Sequence, residues 1–301
     1  MSTPLISAVI ITRHRPKPLE NCLRTLAPFC ERGLETIIVD NSDDDATEQV
    51  AKRFPWTTYV RVPHSKNFQT ATRNRGLRMA RAPIAAFLDD DVTVKPTWFD
   101  ACLDGYKAED TGAVGGRVLD PEVEGNDYFR QAPICTILPD GRLTDNLECD
   151  PGKIVQVQHL RGCNYSVRKD AALAAGGFDE HLIDYGFEDL DLLLRIQKRG
   201  GKVLFNPKME VYHYIVPREK RDRYDKSFRQ RYITVRNLCY VYAKSLPTVT
   251  ARYILTGDTG LRALAVKPSR RMLSYVMAGL TGKIAGLFRY IVFHLFRSQP
   301  A

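Results

Sequence analysis

The chain has 301 residues, 44% apolar and 26% charged, with a net charge of +9, the proportions of a soluble globular protein large enough for a sizeable core plus an appendage, or for two small domains. From Pro217 onward seventeen Lys and Arg face four Asp and Glu, a net +13 that leaves −4 for residues 1–216, so an acidic body carries a basic tail suited to an anionic membrane or nucleic acid. Seven cysteines, none in a CxxC pair, argue against a disulfide framework or a zinc site, and a reducing cytoplasm is the expected setting.

The run from Leu5 to Thr12 is almost continuously apolar, the pattern of a strand covered on both faces in a parallel α/β sheet. Ile6 to Ile11 follows no basic region and is too short for a signal peptide or a membrane span. Pro18 to Leu26 has Leu19, Cys22, Leu23 and Leu26 at helical spacing, and Glu35 to Asp40 reads as a second buried strand, completing a βαβ unit. That unit has no glycine-rich phosphate loop, which disfavours a dinucleotide fold. Asp40 ends the second strand at the sheet's ligand edge, where a carboxylate can accept hydrogen bonds from a ribose or a base; Ser42 or Asp45 could equally cap the helix expected from Thr47. A third short strand is expected near Thr57 to Val62, and residues 67–77 form a helix carrying Arg73, Arg75 and Arg78. One of these turned inward would suit a phosphate or a nucleobase.

The run Ala85-Ala86-Phe87-Leu88-Asp89-Asp90-Asp91-Val92 predicts a buried strand that delivers three consecutive carboxylates to a turn at its carboxyl end. Packed so closely they need a counter-charge, and a hard divalent cation with oxygen ligands supplies one; a solvated acidic turn is the plainer reading of this run alone. Pro96 to Tyr106 is expected helical, Gly112 to Val118 a strand, and residues 120–155 a long irregular insertion shaping a pocket rim. Arg161 to Lys169 reads as a strand leaving a small-residue turn, and Tyr185 to Arg195 opens a helix with Glu188 and Asp189 at its start. Those two acids serve either the helix dipole or, beside a metal and phosphate site, as a general base. Val203 to Phe205 and Val211 to Tyr214 read as two strands, the second carrying His213.

In order, the segments VIITRHRP, IIVDNSDD, NFQTATRNRGL, FLDDDV, GCNYSVRKDAALAAGGFDE, FEDLDLLLR and VYHY resemble the family 2 glycosyltransferases, inverting GT-A enzymes that use nucleotide-diphosphate sugars. The resemblance runs from about Ile6 to His213. It implies an α/β GT-A fold, with a mostly parallel central sheet flanked by helices, over residues 1–216, its nucleotide-sugar half about 1–118 and its acceptor half 119–216. By this resemblance Thr12, Arg13, Asp40, Arg73, Asp89 and Asp90 contact the donor nucleotide, and Asp91 and His213 hold the metal, Mn or Mg. Gly162, Asn164 and Glu188 stand on the acceptor side, and Asp189 is the base. His14 departs from the family's usual asparagine, and Gln69 and Thr72 from its usual glycine and alanine, which leaves the donor loop and the approach to the diphosphate less defined.

Residues 217–301 are expected to form a basic helical region, with 272–297 an amphipathic helix. Lys283 and Arg289 interrupt it and argue against a membrane span, so it should lie on an anionic leaflet, or else pack on the body or on a second subunit. A peripheral position on the inner membrane face would fit a lipid-linked acceptor in surface-polysaccharide or glycolipid synthesis. A sugar nucleotidyltransferase of similar architecture would carry a glycine-rich basic loop after the first strand, which TRHRPKP is not. A non-catalytic binder of nucleic acid leaves Asp89 to Asp91, Asp189 and His213 unexplained, so no nucleic-acid partner is expected.

Overall fold

The computed structural model describes residues 3–63, 68–121, 133–184, 186–214, 228–256 and 270–295. The apolar runs become strands β1 (Ile6–Thr12), β2 (Leu34–Asp40), β3 (Thr57–Arg61) and β4 (Ile84–Asp89), separated by helices α1 (Pro16–Leu26), α2 (Ala46–Lys52) and α3 (Phe68–Met79). These four strands pair in parallel in the order β3-β2-β1-β4. The register sets Thr12 beside Asp40 and Ile11 beside Asp89, so the carboxyl ends of three strands form one edge.

Past the acids come β5 (Val92–Val94), α4 (Trp98–Asp104) and β6 (Thr111–Leu119), then the short strands β7 (Thr136–Ile137), β8 (Leu143–Thr144) and β9 (Val155–Gln156) within the insertion. β10 (Asn164–Arg168), α5 (Lys169–Ala174), α6 (Glu188–Lys198) and β11 (Lys202–His213) complete the body. The main sheet continues β4-β10-β6-β11-β5, with β10 antiparallel to both neighbours, β11 parallel to β6, and β9 at the side of β11. It is therefore parallel through the first βαβ units and mixed beyond β4.

Alternation along the strands divides the core into two layers. Ile6, Ala8 and Ile10 with Ile84, Ala86 and Leu88 face α1 and α4, packing with Leu19, Leu23, Trp98 and Phe99. Val9, Ala85 and Phe87 face the other way, onto Leu77, Tyr165, Phe178 and Leu192. Gly76 is what lets α3 sit so close to the sheet, because a Cβ there would come within 2.2 Å of a Val9 methyl. The close approach fixes the height of Arg73 one turn earlier.

Several expected boundaries change. The two strands expected over 203–214 are one strand, β11, whose pairing with β6 is irregular between Asn206 and Val211, where Pro207 has no N–H to give. The strand expected from Arg161 begins only at Asn164, and α5 and β5 are additional. Helix α4 is shorter than expected, starting two residues after Pro96. Asp44, rather than Ser42 or Asp45, bonds the first N–H of α2, from its Oδ1 to Ala46 at 3.0 Å. Residues 122–132 of the insertion lie outside the described residues. All seven cysteines are free.

The chain divides into two compact units. The first holds the residues up to Val216 except 137–144 and 184–187; the second holds those two segments and everything from Pro217. In the second unit lie α7 (Phe228–Ser245), α8 (Pro247–Thr256) and α9 (Arg270–Tyr290), the last running into a π-helical turn over Ile291–Leu295. Although Lys283 and Arg289 argue against a span, Val276–His294 is long and apolar enough to cross a bilayer by length and composition alone.

Candidate active site

The acids at the end of β4 meet a histidine that is more than a hundred residues away in sequence. β5 pairs antiparallel with the end of β11, setting His213 opposite Val92, and the N–H of Tyr214 donates to the Asp91 carbonyl at 2.9 Å. His213 Nε2 thereby reaches Asp91 Oδ1 at 3.1 Å. One ligand atom from each of Asp89, Asp91 and His213 lies within 4.8 Å of the others. Two hard carboxylates and a borderline imidazole form a donor set that fits a divalent ion such as Mn or Mg, with positions left for phosphate oxygens or water. Asp89, which the resemblance assigns to the donor nucleotide, thus stands with Asp91 and His213 in the cluster. A second group, His14 with Asp43 and Asp44, is exposed, the two ring nitrogens of His14 lying 3.1 and 2.9 Å from the carboxylates.

The counter-charge for the triplet is partly built into the chain. Arg15, in the loop after β1, places Nη1 3.1 Å from Asp90 Oδ1 and Nη2 2.5 Å from Asp91 Oδ2. Thr12 Oγ1 donates to Asp90 Oδ2 at 2.7 Å. Burial pushes Asp90 up to about 7, working against Arg15 and Thr12. Burial also acts to raise Asp91, but the hydrogen bond and charge of His213, with Arg15, bring it below the ordinary carboxylate value. His213 is pushed up to about 10: burial opposes its charge, and Asp91 and Cys163 outweigh burial. In the metal-free protein the charge on His213 therefore stabilises the fold fully below its ordinary value of 6.5 and that contribution is lost as pH rises through about 10, while the contribution of Asp91 is full above 3.8 and lost as pH falls through its lowered value.

Sequence reading missed Arg15. Its signal was a basic residue at the end of β1, the strand that lies directly beside β4. Breaking a buried charge pair costs about 3–5 kcal/mol; because Arg15 keeps some solvent contact, Arg15→Met is expected to lower the unfolding free energy of the metal-free protein by about 2–3 kcal/mol. Mn2+ should recover much of that loss by supplying positive charge to the same acids. Urea unfolding with and without Mn2+ measures both, and equal losses in the two conditions would separate Arg15 from the cation site.

A second counter-ion joins the triplet to the start of α6. Arg73 is 4% exposed, with Nη1 donating to Glu188 Oε1 at 2.7 Å and Nη2 3.6 Å from Asp89 Oδ1. Asp189 is only half-buried. Its Oδ2 would stand 3.0 Å from a Cβ at Gly162, and Arg73 Nη2 would stand 3.5 Å from the same point, so glycine there keeps space open beside the acid. Burial raises both Glu188 and Asp189 above the ordinary carboxylate range, against the pull of Arg73 on each. These expected site residues therefore share one neighbourhood: Asp89, Arg73, Glu188, Asp189 and Gly162.

Four of the expected site residues have partners within the protein. Glu188, expected toward an acceptor, is the buried partner of Arg73, and Arg73, expected on the nucleotide, is committed to Glu188 and Asp89. Asn164, also expected on the acceptor side, is 1% exposed: it accepts from Trp98 Nε1 at 3.0 Å and donates to the carbonyls of Arg117 and Met209 at 3.0 and 2.8 Å. It is a strut among β10, β6, β11 and α4. Asp40 is fully buried, its Oδ1 accepting from the Ser42 N–H and hydroxyl at 2.9 and 2.6 Å and its Oδ2 from the Tyr59 hydroxyl at 2.8 Å. These bonds tie Asp40 to the loop after β2 and to β3. Arg13 is exposed at the same sheet edge. A cavity of about 360 Å³ bordered by Thr111, Arg168 and Gly201 touches none of the expected site residues.

The family model for glycosyl transferase family 2 matches residues 7–171, and one for the N-terminal domain of galactosyltransferase matches residues 150–220. The chain belongs to glycosyl transferase family 2. A glucosyl-dolichyl phosphate glucuronosyltransferase of Haloferax volcanii is 26% identical over 215 residues, covering 66% of this chain and 66% of that protein. An N-acetylglucosaminyl-diphospho-decaprenol L-rhamnosyltransferase of Mycobacterium tuberculosis is 27% identical over 246 residues, covering 73% and 79%. The chain thus spans just under two thirds of the haloarchaeal relative's length. Among solved structures, a mannosyltransferase of Pyrobaculum calidifontis in complex with GDP-Man and Mn2+ superposes with a TM-score of 0.59 at 17% identity, covering 99% of this chain and 89% of that one. The fold of this family 2 glycosyltransferase is accordingly GT-A.

Proposed function

We propose that this glycosyltransferase moves a sugar from a nucleotide-diphosphate donor to a hydroxyl of a lipid-linked or glycan acceptor, with inversion at the anomeric carbon. The observation that carries the reading is Arg73, whose guanidinium touches both Asp89 of the triplet and Glu188 next to Asp189, so that the cation ligands and the base adjoin one site. Asp89, Asp91 and His213 would hold Mn or Mg, which when bound offsets negative charge on a departing diphosphate. Asp189 accepts the proton of the attacking hydroxyl in the space that Gly162 leaves open. Thr12 and Arg13 lie on the nucleotide side, with the donor half about 1–118 and the acceptor half 119–216. The relatives named for dolichyl phosphate and diphospho-decaprenol support a polyprenyl-linked acceptor, and the neighbour solved with GDP-Man and Mn2+ supports the donor class and the ion.

A panel of UDP-, GDP- and dTDP-sugars, assayed for released nucleoside diphosphate with Mn2+, Mg2+ or a chelator, tests this directly. One donor class should be consumed, and chelation should stop it. Turnover undiminished by the chelator would remove the cation from the reaction, and no release from any donor would count against the transfer itself.

A further inference from the structure

Helix α9 is built inside out. Met277, Ile284, Leu287 and Phe288 are exposed, at 44, 70, 37 and 66%, and at 3.6 residues per turn they share one arc of about 100°. The opposite arc, with Val276, Ala278, Gly282, Lys283 and Gly286, is buried. Gly282 and Gly286 let α9 lie hard against α7, since a Cβ at either would come within 2.8 Å of the Tyr232 carbonyl or 2.4 Å of the Arg236 carbonyl. Lys283, the one charged residue between Val276 and Phe288, points inward: its Nζ donates to the Tyr253 carbonyl at 2.7 Å and sits 4.6 Å from the centre of that ring. A helix facing water shows the reverse, with lysine outward and large apolar side chains inward.

We propose that this face of α9 lies among the acyl chains of an anionic lipid leaflet, with the helix in the plane of the membrane. Two observations choose lipid as the occupant. The segment 217–301 carries a net +13, complementary to anionic headgroups, and the apolar segment Val276–His294 has a mean hydropathy of 1.4 yet is only 33% buried within the protein. The in-plane orientation follows from α7, which covers the other face of α9 and carries the exposed Arg229 and the half-buried Lys244. A spanning pair would draw those charges toward hydrocarbon; an interfacial one leaves them at the headgroups. The inference goes beyond sugar transfer and does not depend on it.

The test is flotation of the full chain with vesicles of phosphatidylcholine mixed with phosphatidylglycerol, beside vesicles of phosphatidylcholine alone. Wild type should bind the mixed vesicles, and less so as salt is raised. Ile284→Glu with Phe288→Glu should weaken that binding by about tenfold or more, because it puts two charges into the acyl layer. Both side chains are exposed, so the variant's thermal melt should match wild type. Absence of wild-type binding, or equal binding by the variant, overturns the proposal. So does a concentration-dependent dimer that the substitutions dissolve while vesicles are ignored, which would give the face to a second copy. Vesicle binding is read without any sugar donor, so its failure and a failure of the transferase reading are distinguishable.

Discussion

Asp189→Asn should lower kcat by about 10² to 10⁴ while leaving donor affinity near wild type, the range expected for loss of one positioned general base. The substitution is close to isosteric, and the hydrogen bond that Asp189 Oδ1 accepts from the Leu190 N–H at 2.7 Å is one that an asparagine oxygen also accepts. The fold and the Arg73–Glu188 pair should persist, so the loss would belong to proton transfer. The pH profile supplies a second readout. Burial raises Asp189 above the ordinary carboxylate value, and a base works only deprotonated, so wild-type kcat should fall as pH drops through that raised value. The variant should lose this acid limb. Near-normal turnover, or an unchanged limb, would remove Asp189 from the role.

The sequence made strands legible where burial is two-sided. The apolar runs at Ile6–Thr12 and Ile84–Asp89 sit at the centre of the sheet, and their ends delivered Thr12 and the aspartates to one edge as expected. Partner choice between distant residues was legible only through the family resemblance, which set Asp91 and His213 on one metal. No spacing rule couples Asp91 to His213; the antiparallel pairing of β5 with β11 does, and β5 is only three residues long. Arg15 and Arg73 read equally well as wet helix or loop residues until the sheet order places β1 beside β4 and the close seat of Gly76 on Val9 turns α3 inward. The same blindness explains Asn164 and Asp40. Strand-end position puts Asp40 at the ligand edge and the resemblance puts Asn164 on the acceptor side, but neither shows the hydrogen bonds that each side chain makes inside the protein. Amphipathicity misled in the tail for a related reason. In sequence Lys283 is a charge that interrupts the apolar run, whereas its burial against Tyr253 leaves the outer arc of α9 apolar.

The second large effect is expected at Asp91. Asp91→Ala should weaken Mn2+ binding by more than about 100-fold, beyond the 10- to 100-fold typical of losing a residue that merely supports a ligand. It should also abolish the dependence of donor affinity on the ion. The substitution removes a charged oxygen ligand, leaves Arg15 with Asp90 alone, and strips His213 of the carboxylate that holds it near 10. Calorimetry with UDP-, GDP- and dTDP-sugars, with and without Mn2+, separates these effects, because any metal-independent affinity for the nucleotide should survive. Asp90→Ala is the informative contrast: Asp90 is bonded to Thr12 and Arg15 and lies outside the three-residue cluster, so metal binding should fall far less. Wild-type affinity for Mn2+ should also rise with pH toward about 10, since an ion taking His213 as a ligand must displace its proton. If Asp91→Ala still binds donor more tightly with Mn2+ than without it, the cation sits elsewhere and the assignment of Asp89, Asp91 and His213 fails.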